Sequence, residues 1–589
     1  MASGAGDADG RDRLGAAPQA TERPTRMPGP MVRITGGRVY DPANGVDGVV
    51  KDIYIGEDGR VSSSGTGSVS RTADASGVVS RTIDATGMLV FPGGVDVHTH
   101  VAGGALNFAR GLVPENQRIA RKFVHSPELR AGIGGLTPTT FATGYLYAGM
   151  GWTTVNEAAV PILSAKHTHE EMHDIPIVDK STLLLMANNE LMLDLLEAGE
   201  FERAKSLVAW MLWASKTFGI KAVNPGGVAA WKWGKNANQL HQPIEGYSKI
   251  TAAQIVMDLA RIVDELGLPH PMHLHQNNLG VPGNVGSTIE TMNMLQGRRA
   301  HLAHLQFHAY GGQDWSTMRS GAKEVAEAFM AHKNLTCDVG AILFGDAVTI
   351  TADGPWQHFL HELTGRKWGN LDVENETGCG IVPYVYSDHK LVNAIQWAVG
   401  LELLLLIDDP WRVYLTTDHP NGGGFWRYPE IMRLLMDVEF RRAEVKKLPP
   451  EALNRISLPE IDRQYSISEM VIVTSAGPAR ALGLKQKGHL GEGADGDVTI
   501  YSDKPDADGV MFTHPRYVLK GGKVVVEEGQ IRAIAEGRVF LVHPEYDPAI
   551  EDYIRPTFQR LYTLSFENYP TEMTRLKHPE TVACAPQRS

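Results

Sequence analysis

The chain has 589 residues, of which 43% are hydrophobic, and a net charge of −12. That length suits more than one domain, or one large barrel with an added domain, and is enough to bury a large core. The acidic balance argues against nucleic acid as the main partner, because phosphate binding needs a basic surface, and no apolar run reaches membrane-spanning length.

Residues 1–30 are rich in Ala, Gly, Arg and Asp without an apolar block, and are expected to form a disordered extension rather than a signal or transit peptide. Over 31–92 short strands with tight turns are predicted. Val32-Arg-Ile-Thr runs into Gly36-Gly37, and Asp52-Ile-Tyr-Ile runs towards Asp58-Gly59, a hairpin signal. A Gly/Ser-rich stretch covers 62–70. From there strands alternate with helices, most clearly over 251–275. Thr251 and Gln254 fit a capping box, and Ile255, Val256, Leu259, Ile262, Val263 and Leu266 recur at helical spacing. Gly267 stops this helix, and Pro271-Met-His-Leu-His follows as a strand. Further strands are predicted at 152–155, 219–223, 300–305, 335–339 and 413–418. The alternation predicts an α/β fold with a parallel sheet closed as a (β/α)8 TIM-like barrel, assigned to 93–465. Short strands with Gly turns return at 466–545, in Asp497-Val-Thr-Ile-Tyr, Tyr517-Val-Leu-Lys and Arg532-Ala-Ile-Ala. The two flanks predict one small β-sandwich domain built from both chain ends. A helical or irregular tail, 546–589, follows. Its Phe558, Leu561, Tyr562, Leu564 and Phe566 have either the barrel or a partner to pack on. Three cysteines, Cys337, Cys379 and Cys584, lie far apart with no CxxC pair, which suits a reducing cytoplasm and no disulfide framework.

The stretch Phe91-Pro-Gly-Gly-Val-Asp-Val-His-Thr-His100 reads as a buried strand ending in two histidines. Residues two apart on a strand share a side, so His98 and His100 form half of a metal site. Barrel enzymes carry their chemistry at the C-terminal ends of strands, and the later polar residues fall there. Lys221 follows Phe218-Gly-Ile, His273 and His275 lie in Pro271-Met-His-Leu-His, His304 lies in Ala303-His-Leu-Gln-Phe-His308, and Asp418 closes Tyr414-Leu-Thr-Thr-Asp. Each has an ordinary alternative: a surface lysine, a core histidine, a turn cap before Pro420. Their joint position at strand ends favours one shared site. His275 is preferred to His273 because it lies nearer the strand's end.

This order resembles the amidohydrolase superfamily. The motifs Gly93-Gly-Val-Asp-Val-His-Thr-His-Val-Ala-Gly, Trp152-Thr-Thr-Val-Asn-Glu-Ala-Ala-Val-Pro, Ile220-Lys-Ala-Val-Asn-Pro-Gly-Gly, His275-Gln-Asn-Asn-Leu-Gly and Thr417-Asp-His-Pro-Asn-Gly-Gly narrow the match. They are similar to the amidohydrolase-type subunits of formylmethanofuran dehydrogenases and, equally, of bacterial formyltransferase/hydrolase complexes. The resemblance implies two divalent metal ions, with Lys221 carbamylated by CO₂ as the bridge. His98, His100 and Asp418 would bind one ion, and His275 and His304 the other. Imidazole and oxygen ligands favour Zn²⁺. The implied reaction is hydrolysis of an N-formyl furfurylamine carrier, formyl-methylofuran or formylmethanofuran, to formate and free amine. A water acidified by the metals attacks the formyl carbon, and Asp418 shuttles the proton. Asn277, Asn278 and His308 are expected to orient the substrate. Arg118, Arg121 and Lys122 are expected to meet the carrier's glutamyl tail, or else to form a solvated helix face. The resemblance further implies a hetero-oligomer with a formyltransferase subunit. The choice between dehydrogenase and hydrolase complexes rests on partner chains.

Three rivals remain. His169-Glu-Glu-Met-His173 is a literal HExxH, with Glu190 as a third candidate ligand of a zincin protease. It leaves the His98-to-Asp418 series unexplained, and the alternative places His167 or His169 near the barrel site. A cyclic-amide hydrolase of the hydantoinase or dihydroorotase type is the second rival. A catalytically silent scaffold is the third, although no ligand position is missing.

Overall fold

The computed structural model describes residues 31–62, 81–371, 380–505 and 510–585. The expected N-terminal extension, nearly all of the Gly/Ser-rich stretch and Cys379 lie outside the described residues.

Eight parallel strands form the central sheet in chain order: β1 (Gly94–Thr99), β2 (Trp152–Val160), β3 (Asp179–Leu185), β4 (Gly219–Val223), β5 (Met272–His275), β6 (Ala300–Leu302), β7 (Leu335–Asp338) and β8 (Val413–Tyr414). Thr99 bridges His419 in parallel, and the His100 N–H donates to the His419 carbonyl at 2.8 Å, which closes the sheet into a barrel. Parallel strands wrapped by helices are buried on both faces, and β1 and β3 are buried at every residue. Because all eight run the same way, their C-terminal ends meet at one mouth. The helix Ala252–Leu266 forms as predicted. Thr251 Oγ1 accepts the Gln254 N–H at 3.1 Å, and Gly267 takes the left-handed conformation at φ 65°. Only half of the capping box is made, since the Gln254 side chain turns to Asp258.

The two flanks meet. Met88–Pro92 pairs antiparallel with Val498–Ser502, placing Val90 opposite Ile500. These strands lie in the middle of a seven-stranded sheet that contains Arg38–Asp41 and Val46–Val50 on one side and Tyr517–Lys520, Lys523–Glu527 and Gln530–Ile531 on the other. A four-stranded sheet around Val32–Thr35 shares a core with it through Val32, Ile34, Val39, Ile55, Val498 and Leu519. The strand expected at 532–535 is not formed, as the last of this sheet ends at Ile531. Two parts of 466–545 belong with the barrel instead. The helical run 467–481 lies under β1, where Ser475 Oγ donates to the Gly93 carbonyl at 2.7 Å. Val539–Val542 pairs with β3 at Lys180. In the tail, the helix Ala549–Leu561 and the turn after it pack on the barrel: Phe566 stacks on Trp210 at 5.1 Å, with Phe558 against both.

Strand β3 is absent from the predicted elements because it opens on Asp179-Lys180. Both are fully buried and matched. Lys180 Nζ donates to the Ile175 carbonyl at 2.8 Å. Asp179 enters a closed ion cluster with Lys487, Lys520 (2.7 Å) and Arg538 (2.9 Å), and Asp495 and Asp497 complete it. Beyond β7 an insertion folds as a hairpin, Gly345–Thr351 with Gly380–Tyr386, and a helix, Gly354–Thr364. This insertion stands over the barrel mouth.

Candidate metal centre

At the mouth, side chains from five strand ends converge. His98 Nε2 lies 2.9 Å from Lys221 Nζ and 3.0 Å from Asp418 Oδ1, and His100 Nε2 lies 3.2 Å from the same Asp418 oxygen. Beside them His304 Nε2 is 3.1 Å from His275 Nδ1. All six residues are buried. His304 and Asp418 sit just past the ends of β6 and β8 in left-handed backbone, φ 34° and 49°, a conformation that costs free energy and is found at sites where function requires it. Gly340 makes the approach of these two turns possible: a Cβ there would meet the His304 Cβ at 2.5 Å and the Asp418 Cβ at 3.4 Å.

Carboxylates stand behind three of the four histidines. His98 Nδ1 is held by Asp338 Oδ2 at 3.0 Å. His100 Nδ1 is held by Glu157 Oε1 at 3.0 Å, and the other Glu157 oxygen accepts the Val101 and Ala102 N–H groups. His275 Nε2 is held by Asp353 Oδ2 at 3.3 Å. Such partners fix which ring nitrogen faces the site. Below His98 a polar layer continues: Asp338 Oδ2 also meets His301 Nε2 at 3.1 Å, and His273 Nε2 meets His98 Nδ1 at 3.2 Å. Asp96, two residues before His98, accepts the Tyr147 and Tyr428 hydroxyls at 2.8 and 2.6 Å and the His98 N–H at 3.1 Å, and burial raises its carboxyl to about 6.

Burial sets the charge states. It keeps the His304 imidazole neutral, well below the usual range, and lowers His275 as well. It brings the Lys221 ammonium down to about 8, which puts the neutral amine within reach near physiological pH. Burial opposes ionisation of Asp418, but the adjoining His98, His304 and His100 outweigh it and hold the carboxyl well below the ordinary range. The result is two neutral imidazoles, His275 and His304, an anionic carboxylate and a neutralisable lysine. His100 differs, since burial would lower it but its bonds to Asp418 and Glu157 raise it to about 9, a proton that a bound cation would displace, and the donor set fits divalent metal. His98, His100 and Asp418 bring ligand atoms within 4.8 Å of one another. A second group, His98, His273 and Asp338, meets the same criterion but lies sealed beneath, each residue 0% exposed.

The upper group opens on a cavity of about 280 Å³. His100, Lys221, His275, His304 and Asp418 form its floor, and the insertion supplies much of its wall through Trp356, Gln357, Leu360 and Tyr384. His275, not His273, reaches this cavity. The expected substrate contacts do not line it. Asn277 Nδ2 is used internally on Asn224, Pro225 and Ala237, at 2.9–3.0 Å. Asn278 Nδ2 donates to the Asn238 carbonyl at 3.1 Å. His308 is fully buried behind His275 and His304, with ring centroids 5.7 and 5.5 Å away. Arg118, Arg121 and Lys122 are exposed on the insertion after β1, Arg121 over the Phe123 ring. Sequence reasoning missed the lining aromatics of 315–386 and the backing carboxylates Glu157, Asp338 and Asp353. Asp338 ends β7 and Glu157 lies three residues before the end of β2, so both carried much the same signal as the candidate ligands.

The HExxH segment does lie on a helix, Ala165–Asp174, but its two histidines part company. His169 is buried with Nε2 2.9 Å from the Ser215 carbonyl, and His173 is exposed. Glu170 pairs with Arg575, Glu171 accepts the Gly103 N–H, and Glu190 pairs with Lys232. Neither His167 nor His169 lines the barrel cavity.

A family model, "Amidohydrolase family", matches residues 81–526. The chain belongs to the amidohydrolase family. Within that family it is 41% identical over 560 residues to the protein FwdA of Methanocaldococcus jannaschii, covering 91% of this chain and 96% of that one. It is 40% identical over 537 residues to the A subunit of the formyltransferase/hydrolase complex Fhc of Methylorubrum extorquens, covering 88% of this amidohydrolase and 93% of that relative. The crystal structure of FhcABCD from Methylorubrum extorquens in complex with methylofuran contains a chain that superposes with a TM-score of 0.85 at 38% identity, covering 94% of this chain and 100% of that one. Among the described residues no helix is long and apolar enough to cross a membrane.

Proposed function

We propose that this amidohydrolase hydrolyses the formamide C–N bond of an N-formyl furfurylamine one-carbon carrier, formyl-methylofuran or formylmethanofuran, to formate and free amine, as the hydrolytic subunit of a formyltransferase/hydrolase complex. The observation that carries this reading is the convergence of His100, Lys221, His275, His304 and Asp418 on one cavity floor, with His98 buried beside Lys221 and Asp418, in a chain near 40% identical to its Fhc relative over most of its length. His98, His100 and Asp418 would hold one divalent ion, and His275 and His304 a second. Lys221, once its neutral amine has added CO₂, would offer an oxygen to each. Two such ions, Zn²⁺ in this proposal, supply an acidified water and polarise the formyl carbonyl.

The chain's own residues do the rest. Asp418 takes a proton from the water and delivers it to the departing amine. Trp356, Leu360, Tyr384 and Phe307 form an apolar wall that suits a flat heteroaromatic ring and excludes bulk solvent. Arg118, Arg121 and Lys122, exposed after β1, would meet a glutamyl tail running out of the cavity. Cytoplasmic placement is part of the proposal and accords with the free thiols Cys337 and Cys584. The match to FwdA, as high as that to the Fhc relative, supports a second reading in which the same chain serves a formylmethanofuran dehydrogenase.

The test is elemental analysis of the purified complex together with formate release from the N-formylated carrier. About two zinc ions per chain, with zinc and formate release lost together in His98→Ala/His100→Ala, is the expected result. A wild-type protein without metal overturns it. The subunits that co-purify separate the two complexes.

A further inference from the structure

Three of the histidines at the centre are backed by carboxylates, and one of these does not come from the barrel. Asp353 sits in the insertion after β7, at the N-cap of the helix Gly354–Thr364. It is 2% exposed, and its two oxygens face different ways. Oδ1 accepts the Trp356 N–H at 3.1 Å, capping the helix, and the Asn224 amide at 2.9 Å. Oδ2 meets His275 Nε2 at 3.3 Å, on the side of the ring away from His304. The helix that Asp353 starts carries Trp356, Gln357 and Leu360 into the cavity wall.

We propose that Asp353 is a positioning residue. It fixes the His275 ring so that Nδ1 faces His304, and it ties that ring to the helix that forms the substrate wall. The proposal rests on the reading of His275 and His304 as ligands of the second ion. The geometry argues for it in two ways. A neutral imidazole has one N–H, and a carboxylate at Nε2 places it there, which leaves Nδ1 with its lone pair towards His304 and the metal position. The wall helix cannot shift along its axis without moving the Asp353 carboxylate, because cap and partner are the same side chain. A substrate seated on Trp356 and Leu360 therefore bears on the helix that orients a metal ligand.

The test separates the two oxygens. Asn is a good N-cap, so Asp353→Asn keeps the bond to Trp356 N–H and removes the anion that faces His275. Asp353→Ser also caps but is too short to reach His275. Zinc release from the full-length protein in its complex is followed with a chromogenic chelator, alongside the thermal unfolding midpoint and steady-state formate release. In wild type two ions are expected. In both variants one of the two should leave roughly 10- to 100-fold more readily, kcat should fall by a similar factor, and KM and the midpoint should stay close to wild type. A purely structural cap predicts that the Asn variant is unchanged in zinc release and kcat, and that result overturns the proposal while leaving the two-ion reading intact. Wild-type protein without zinc overturns the two-ion reading itself, and this proposal with it.

Discussion

Two buried polar clusters occupy opposite ends of the barrel, and both bring three ligand-bearing side chains within 4.8 Å of one another. At the N-terminal end of β3, Asp179, Asp495 and Asp497 gather around Lys487, Lys520 and Arg538. With Arg60 on Asp495 and Glu580 on Arg538 at the rim, carboxylates and cations match in number, and no charge is left for an ion to neutralise. At the mouth, burial lowers His275 and His304, Asp418 and Glu157 hold a proton on His100 that a bound cation would displace, and Lys221 makes no ion pair among the described residues. That cluster opens on a cavity, whereas the other is buried among sheet and turn. Proximity of ligand atoms therefore does not make a metal site. Donors held by a displaceable proton rather than by fixed cations, beside a space large enough for a substrate, are what favours a metal at the mouth.

The contrast breaks first at Lys221. Replacing it with Met removes the proposed bridge between the two ions while filling the same volume. Lewis-acid assistance is worth several kcal/mol, so formate release should drop by about 10³-fold or more, and zinc content should fall with it. The thermal midpoint should change little, because the lysine makes no salt bridge to lose. A Lys221→Met protein that keeps two zinc ions and full activity would end the binuclear reading.

Lys487→Met is the mirror experiment. It takes the cation that touches all three buried aspartates out of the cluster, and breaking a buried ion cluster from one side costs about 3–5 kcal/mol. Thermal or urea unfolding should record that loss, while the folded fraction keeps its zinc and its kcat. Loss of zinc with unchanged stability would reverse the roles assigned to the two ends.

Acid sharpens the same distinction. Burial opposes ionisation of Asp179, Asp495 and Asp497, but Arg538 and Lys487 outweigh it at Asp179 and Asp495, and Lys487 and Lys520 outweigh it at Asp497, so all three carboxyls are lowered. The unfolded chain titrates these groups near pH 4. Depressed native values mean that the unfolded state binds more protons as pH falls, so the stability these groups confer is complete above about pH 4 and is lost below it. Asp497→Asn should thus destabilise the protein fully at pH 6 and by about 1 kcal/mol less at pH 3, because the native carboxyl stays ionised well below pH 4. An equal difference at both values would show that Asp497 acts through packing rather than charge.

Much of this was legible in the sequence, for a physical reason. Candidate ligands at strand ends follow a two-residue period, so His98, His100, Lys221 and His275 announced themselves beside apolar runs, and the helix 252–266 carried its cap and its stop. The hidden parts had a shared cause. Strand β3 begins with Asp179 and Lys180, whose partners lie more than 300 residues away at Arg538 or are backbone carbonyls, so its opening reads as surface. Asp353 lies in an insertion, where no strand periodicity marks which side chain turns inwards. Asn277 and His308 sit near the candidate ligands His275 and His304 in sequence, yet the chain turns after each of those and carries them behind the floor rather than into the cavity.

The smallest expected effect concerns the HExxH helix. His173 is exposed, and its ring nitrogen lies 3.4 Å from the Arg575 carbonyl. An exposed side chain of this kind contributes within about 0.5 kcal/mol, so His173→Ala should leave zinc content, formate release and the unfolding midpoint at their wild-type values. His169→Ala should differ, because it strips a buried carbonyl at Ser215 of its partner, a loss of about 1–3 kcal/mol in stability with zinc retained. A protease-type site would bind its metal through both histidines and would lose it in either variant. The two substitutions should instead separate cleanly, one silent and one purely structural, because one ring is packed inside the protein against the Ser215 carbonyl and the other stands in solvent.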